Sequence, residues 1–431
     1  MSESGLSARR IRSLAKRFGT PLYAYDFDAL DRRARTLRAA LAPRFDLFYA
    51  VKANPSLAIL KLFAARGLGA DVASRGELSL ALRAGFAPER IVMTGPAKSD
   101  ADLALAVRSG ILGINVEGEH ELDRLDRIVR GRRERFAVQL RLNPDSGLGE
   151  ARAIIGGAGA TKFGLDLRTA ERILRNRRNW PSLEFSGFQV FQASNVLDAR
   201  RLLENVRRVL ELAVSLARRF DIALRTIDFG GGLGVPYSAG DRPLDLARFS
   251  RGLQSVSARI AATPELTGSH LIFEPGRWLV AEAGIYVARV VEVKSTRGRR
   301  HVLVDGGIHH LTRPALLGSP HPVRIVMKNG TAGVVRTFSI GGPLCTSLDL
   351  LADCARDRLP GPGDLVVLGN AGAYGYTESM PLFLSHEWPA EIGLRGPRAE
   401  RLRTAPTVTQ LQRAQRAPEI LIRARPPSRR N

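Results

Sequence analysis

From residue 45 to residue 274 the chain alternates two patterns, and that alternation limits its fold more than any other feature. Short runs rich in apolar, β-branched and aromatic residues fall at 45–51, 69–72, 90–94, 112–116, 136–142, 183–191, 225–229 and 270–274. Between them, 56–66, 76–85, 100–109, 119–130, 168–177, 198–219 and 245–260 carry the helical period. The runs suit strands covered on both faces, and the helical stretches suit their covers. Eight such units predict an α/β fold, a (β/α)8 barrel of the TIM type. A doubly wound open sheet also fits the alternation. Ahead of this, residues 5–18 predict a helix, and 21–26 a strand leading into a helix over 28–41.

After residue 278 the pattern changes. Residues 287–293, 301–304, 323–327, 334–339 and 364–368 read as strands without long helices between them, a separate C-terminal β-rich domain. The expected division is a barrel over 26–278, a β-rich domain over 279–394 that also takes in 1–25, and a flexible tail over 395–431. That tail is rich in Arg and Pro, with a short strand or helix expected at 418–424. Asn143 to Lys162 form a long Gly- and Ala-rich connection after the fifth barrel strand, where a functional or mobile loop belongs.

Composition removes several classes of function. The 431 residues are 44% apolar, enough for a large core, yet no apolar run reaches the roughly 18 residues that a membrane span needs. With no apolar leader, the expectation is a cytoplasmic protein with no membrane insertion. Two cysteines, Cys345 and Cys354, make neither a disulfide framework nor a zinc site, and no metal is expected. Each cysteine, taken alone, reads as a small buried residue. The formal charge of +23 raises nucleic-acid binding. Ten Arg against two Glu from Arg395 to Asn431 put about +8 of it in the tail. No basic patch interleaved with aromatics appears, so nucleic acid is not an expected partner.

The chemistry gathers at strand ends. Lys52, one of seven lysines beside 58 arginines, closes the first barrel strand in FYAVKANP. An ammonium there must pair, reach water or lose its charge, and a neutral lysine attacks carbonyls. Glu274, in FEPGRW, ends the eighth strand. Closing a barrel makes the first and eighth strands neighbours, so Lys52 and Glu274 should approach. After the seventh strand comes DFGGGLGVPY, where Gly231 and Gly232 let backbone N–H groups approach an anion. Gly276 and Arg277 follow Glu274 and can join that cradle. Each part alone is weak: a Gly run is usually a turn, and Asp71 can simply cap the next helix. An amine, a phosphate cradle and an acid together are what pyridoxal phosphate requires.

The stretches YAVKANP, DVASRGEL, KFGLD, DFGGGLGVPY, FEPGR, LTRPALL, GGPLCTSLDLL and GNAGAYGY run in this order from about residue 20 to 390. In them the chain resembles the fold type III pyridoxal-phosphate-dependent decarboxylases, and most closely the diaminopimelate decarboxylase group. The GPLCTSLDLL form is also similar to exosortase-associated and carrier-protein-linked members. The resemblance implies that Lys52 holds the cofactor, with Asp71, Phe191 and Ser194 around it. It implies phosphate binding by Gly231, Gly232, Gly276, Arg277 and Tyr374, and a pairing of Glu274 with the ring nitrogen. Cys345 is implied as the proton donor, reaching in from the other subunit of a homodimer. Arg277, Arg313, Thr346 and Tyr374 are the implied substrate contacts. The implied activity is removal of the α-carboxylate of an amino acid.

Four positions depart from the family pattern. Thr346 stands where an acid usually follows the reactive Cys, Leu317 where RPALY has Tyr, Phe191 where a His stacks, and Ala193 where Gly is usual. These imply an intact cofactor machinery and an altered distal pocket. The alternatives are decarboxylation of a different or carrier-tethered amino acid in a polysaccharide or secondary-metabolite pathway, racemisation, and an inactive regulatory protein on the same fold.

Overall fold

The chain enters in the domain where it also ends. Residues Ala8–Phe18 form a helix whose Ser7 accepts a hydrogen bond from the N–H of Arg10. It is followed by β1, Leu22–Asp26. The computed structural model describes residues 5–144, 161–191, 193–318, 320–328, 334–413 and 415–416. Most of the expected loop over 143–162, and the element expected at 418–424, lie outside the described residues.

Eight strands then close a parallel barrel. They are β2 (Phe45–Ala50), β3 (Gly69–Val72), β4 (Ile91–Met93), β5 (Gly113–Val116), β6 (Phe136–Leu142), β7 (Leu183–Val190), β8 (Thr226–Asp228) and β9 (His270–Phe273). β9 returns to β2 in parallel register, Leu47 against Phe273. This closure excludes the open sheet. The outer helix Ala199–Phe220 shows why the intervening stretches are helical. Asp198 caps it, and Leu202, Val206, Val209, Ala213 and Leu216 recur at three- and four-residue spacing on its buried face.

The second domain contains β10 (Gly284–Thr296), β11 (Arg299–Val304), β12 (Val323–Val326), β13 (Val335–Gly341), β14 (Leu350–Arg358), β15 (Leu365–Leu368), β16 (Ala390–Arg395) and β17 (Arg398–Arg403). Their sheet runs β14-β13-β11-β10-β1-β16-β17, with β15 bridging β10 and β12. β1 lies antiparallel to β10 and parallel to β16, so the N-terminal segment belongs to this domain. One apolar core runs through both domains, from Leu47 in the barrel to Tyr23, Tyr286 and Phe338.

Three expectations need correction here. The hairpin β16–β17 crosses the boundary at 394, so 395–403 belong to the sheet and not to a flexible tail. Buried Glu391 anchors it, accepting from Tyr25 Oη at 2.8 Å and pairing with Arg403. β14 went unassigned because charges interrupt LLADCARDR. It is an outer strand on β13 with only one side covered, which tolerates such charges. Cys354 lies on its open side and is exposed, and Cys345 is exposed too, so neither is a packing residue.

Candidate active site

Lys52 sits in a single helical turn, Val51–Ala53, directly after β2. That turn is held from both domains. Asn54 Nδ2 donates to the carbonyl of Gly372 at 2.9 Å, and the N–H of Tyr374 donates to the carbonyl of Ala53 at 2.8 Å. Tyr49 Oη donates to the carbonyl of Asn54 at 3.0 Å. Tyr374, itself at φ 53°, is thereby carried from the β-rich domain to the mouth of the barrel.

Lys52 keeps its charge by pairing. Its Nζ lies 2.6 Å from Asp71 Oδ2, at the end of neighbouring β3. Burial alone would lower the pKa of the amine, but the charges of Asp71 and then Glu274 raise it above its ordinary value. Asp71 is not a helix cap. Ser74 takes that place, accepting from the N–H of Glu77.

Lys52, Glu274, Gly276, Arg277 and Tyr374 line one cavity, together with Phe191, Ser194, Gly231 and Gly232. The approach of Lys52 and Glu274 expected from barrel closure is thus present. A second cavity of about 300 Å³ shares Phe191, Ser194 and the two glycines with the first, so the two spaces meet beside Phe191.

Glu274 is buried, and so is Asp228 at the end of β8. Burial raises the pKa of both carboxyls, and each stands close enough to the other for one proton to lie between them. Asp228 accepts from the N–H of Gly230 at 2.8 Å and from Asn115 Nδ2 at 3.3 Å. Gln189 Nε2 donates to Glu274 Oε2 at 3.4 Å, while Glu274 Oε1 is buried with no partner. Sequence reasoning missed Asp228, although it opens the same DFGGG stretch that supplied the glycines.

The glycine loop leaves a cradle that side chains would fill. A Cβ on Gly231 would lie 2.5 Å from the carbonyl oxygen of Glu274. Gly232, at φ +96°, would put its Cβ 2.9 Å from the carbonyl oxygen of Ala193. Arg277 reaches over this cradle. Its guanidinium donates to Tyr237 Oη at 3.0 Å and to Ser194 Oγ at 3.4 Å, and lies 4.7 Å from the Tyr374 ring centroid. A guanidinium, two hydroxyls and an open backbone loop fit a phosphate. The orphaned Glu274 Oε1 fits a protonated ring nitrogen. The residues present therefore fit pyridoxal phosphate.

Arg313 stands beyond Tyr237, its guanidinium 4.9 Å from that ring's centroid. Tyr237, which sequence reasoning also missed, is wedged between the two arginines. Cys345 and Thr346 do not line the Lys52 cavity. Their loop is folded on Asp349, which accepts from the N–H groups of Ile308 and Leu344, both at 2.8 Å.

Comparison with known proteins agrees with this chemistry. Residues 27–281 match the family described as pyridoxal-dependent decarboxylase, pyridoxal binding domain. The L-glutamyl-[BtrI acyl-carrier protein] decarboxylase of Niallia circulans is 34% identical over 94% of this chain and 97% of its own length. A diaminopimelate decarboxylase of Zymomonas mobilis is 32% identical over 95% of each chain. The crystal structure of diaminopimelate decarboxylase from Helicobacter pylori complexed with L-lysine superposes with a TM-score of 0.84 at 29% identity, covering 94% of this chain and 98% of that one. The chain that sets an amine after β2, an acid after β9 and an open cradle between them thus belongs to the pyridoxal-dependent decarboxylase family.

Proposed function

We propose that this decarboxylase removes the α-carboxylate of an amino acid with a second polar end, by diaminopimelate-type chemistry, in a homodimer with shared active sites. The observation that carries the reading is a run of contacts: Lys52, Glu274 and Arg277 line one cavity, Arg277 donates to Tyr237, and Arg313 packs on the same ring. Its near part suits the cofactor and its far part suits an anion.

Bound pyridoxal phosphate supplies an electron sink for the pair left behind when carbon dioxide departs. Lys52 would hold the cofactor through its aldehyde. Ser194, Gly231, Gly232, Gly276, Arg277 and Tyr374 hold its phosphate. Glu274 keeps the ring nitrogen protonated, and Asp228 behind it steadies that charge. Phe191, which lines the same cavity, would cover the ring by contact alone, since it has no proton to share. Arg313 takes a carboxylate at the far end of the substrate.

Cys345 is the proton donor to the α-carbon in this reading, supplied by the partner subunit. Its exposure, and its absence from the cavity of its own chain, support a role across an interface.

A second reading is a carrier-tethered substrate. Thr346 favours it, because a neutral side chain replaces the acid expected beside Cys345. The Niallia circulans relative, whose name states a carrier-bound substrate, favours it too. The deciding experiment measures carbon dioxide release from meso-diaminopimelate, free glutamate and a glutamyl-carrier thioester, with Lys52→Ala as control. Release from meso-diaminopimelate that disappears in the control is the expected result. Release from the thioester alone would install the second reading, and release from none would refute both.

A further inference from the structure

Glu378 has no part in the chemistry above, yet its charge reaches both arginines of the site. It follows Tyr374 by four residues, on the segment between β15 and β16. Its neighbour Ser379 binds that segment to the turn leading into Arg313. Ser379 Oγ accepts from the N–H of Thr312 at 3.3 Å and lies 2.7 Å from the carbonyl oxygen of His310. Ser379 thus fixes the backbone beside Glu378 close to the turn that carries Arg313.

Both ends of this arrangement are left open. Glu378 Oε2 is buried without a hydrogen-bond partner, and so is Arg313 Nε. Arg277 is already committed to Tyr237 and Ser194. Among the described residues, neither Glu378 nor Arg313 makes an ion pair within 4 Å. Buried polar atoms without partners are uncommon in native proteins, and a ligand that completes them is one reason they persist. A carboxylate accepts from an ammonium, and a guanidinium fork receives a carboxylate. An open carboxylate and an open guanidinium that feel each other's charge suit a zwitterionic ligand end.

We propose that Glu378 is a specificity-determining residue that receives an ammonium on the far end of the substrate, beside the carboxylate held by Arg313. The proposal rests on the reading of Arg313 as a carboxylate site. It accounts for the neutral Thr346, because the counter-charge comes from the chain that also supplies Arg313. Burial raises the pKa of Glu378, while Arg313 and Arg277 oppose that rise. An arriving ammonium adds a third cation and favours the ionised carboxylate.

The test compares meso-diaminopimelate with 2-aminopimelate, which lacks only the far ammonium. The measured quantity is the ratio of their kcat/KM values in wild type and in Glu378→Gln, with folding checked by thermal melting. The ratio should fall by about 30-fold or more, the size expected for truncating one partner of a buried charge pair. Glu378→Asp, which keeps the charge, should recover part of it. A ratio in Glu378→Gln within threefold of wild type overturns the proposal, and so does a wild-type ratio near one. Calorimetric binding of both amino acids to the cofactor-loaded enzyme separates the two layers. Preferential binding of meso-diaminopimelate with no carbon dioxide release refutes the substrate reading and supports Glu378. Equal binding of both by wild type refutes Glu378 whatever the turnover.

Discussion

Replacing Asp71 by Asn tests how the protein holds its lysine before the cofactor arrives. Lys52 Nζ lies 2.6 Å from a carboxylate that is almost wholly buried, and the lysine side chain is 31% exposed. At an effective dielectric of about 20, Coulomb's law gives about 6 kcal/mol for that separation. Partial exposure of the lysine screens the pair, and about half that figure, near 3 kcal/mol, is a fair working value. At 1.36 kcal/mol per pH unit this is about two units of pKa. Asn keeps the shape and removes the charge. Only the neutral amine attacks an aldehyde, so the pair suppresses capture of pyridoxal phosphate at neutral pH. The assay follows the visible absorbance of covalently bound pyridoxal phosphate after mixing with the cofactor-free protein, across pH. In Asp71→Asn the half-maximal capture rate should move about two units lower in pH. Lys52→Ala should show no such absorbance. An unshifted profile would refute the claim that Asp71 sets the charge of Lys52, and an unchanged absorbance in Lys52→Ala would refute the role of the lysine.

Two further outcomes are expected. Co-expression of Lys52→Ala with Cys345→Ala, each inactive alone, should restore about a quarter of wild-type turnover. Random pairing makes half the dimers mixed, each with one complete site, if the cysteine acts on the partner's cofactor. No restoration would sink the shared site. His321 concerns stability. It is buried, with Nδ1 2.8 Å from the carbonyl oxygen of Gly369, and burial lowers its pKa from 6.5 to about 4. The unfolded chain takes up a proton near pH 6.5 and the folded chain does not. The stability from this residue is therefore complete above 6.5 and lost as pH falls towards 4. Between pH 7.5 and 5 the loss amounts to about 2 kcal/mol. Denaturant unfolding should show His321→Asn losing about that much less than wild type over the same range, and equal losses would contradict the assignment.

Much of the site was legible before any coordinates. The two-pattern alternation could close only a few ways, and closure alone brought Lys52 and Glu274 together. The strand positions were readable because barrel strands are covered on both faces, which leaves near-continuous apolar runs between turns. The second domain was less legible for the same reason in reverse. Leu350–Arg358 and Arg398–Arg403 lie towards the sheet's margins, where one side meets water and charge is tolerated.

What the sequence determined by itself was local: which segments are strands, where glycine permits close approach, and which residue types stand at strand ends. Only the tertiary structure decided how the charges share the space between them. Asp228 became a buried neighbour of Glu274 because β8 and β9 lie side by side. Glu378 came within electrostatic reach of Arg313, and its neighbour Ser379 bonds the segment to a turn more than sixty residues earlier in the chain. Electrostatic coupling depends on distance and burial, and neither is a property of spacing along the chain.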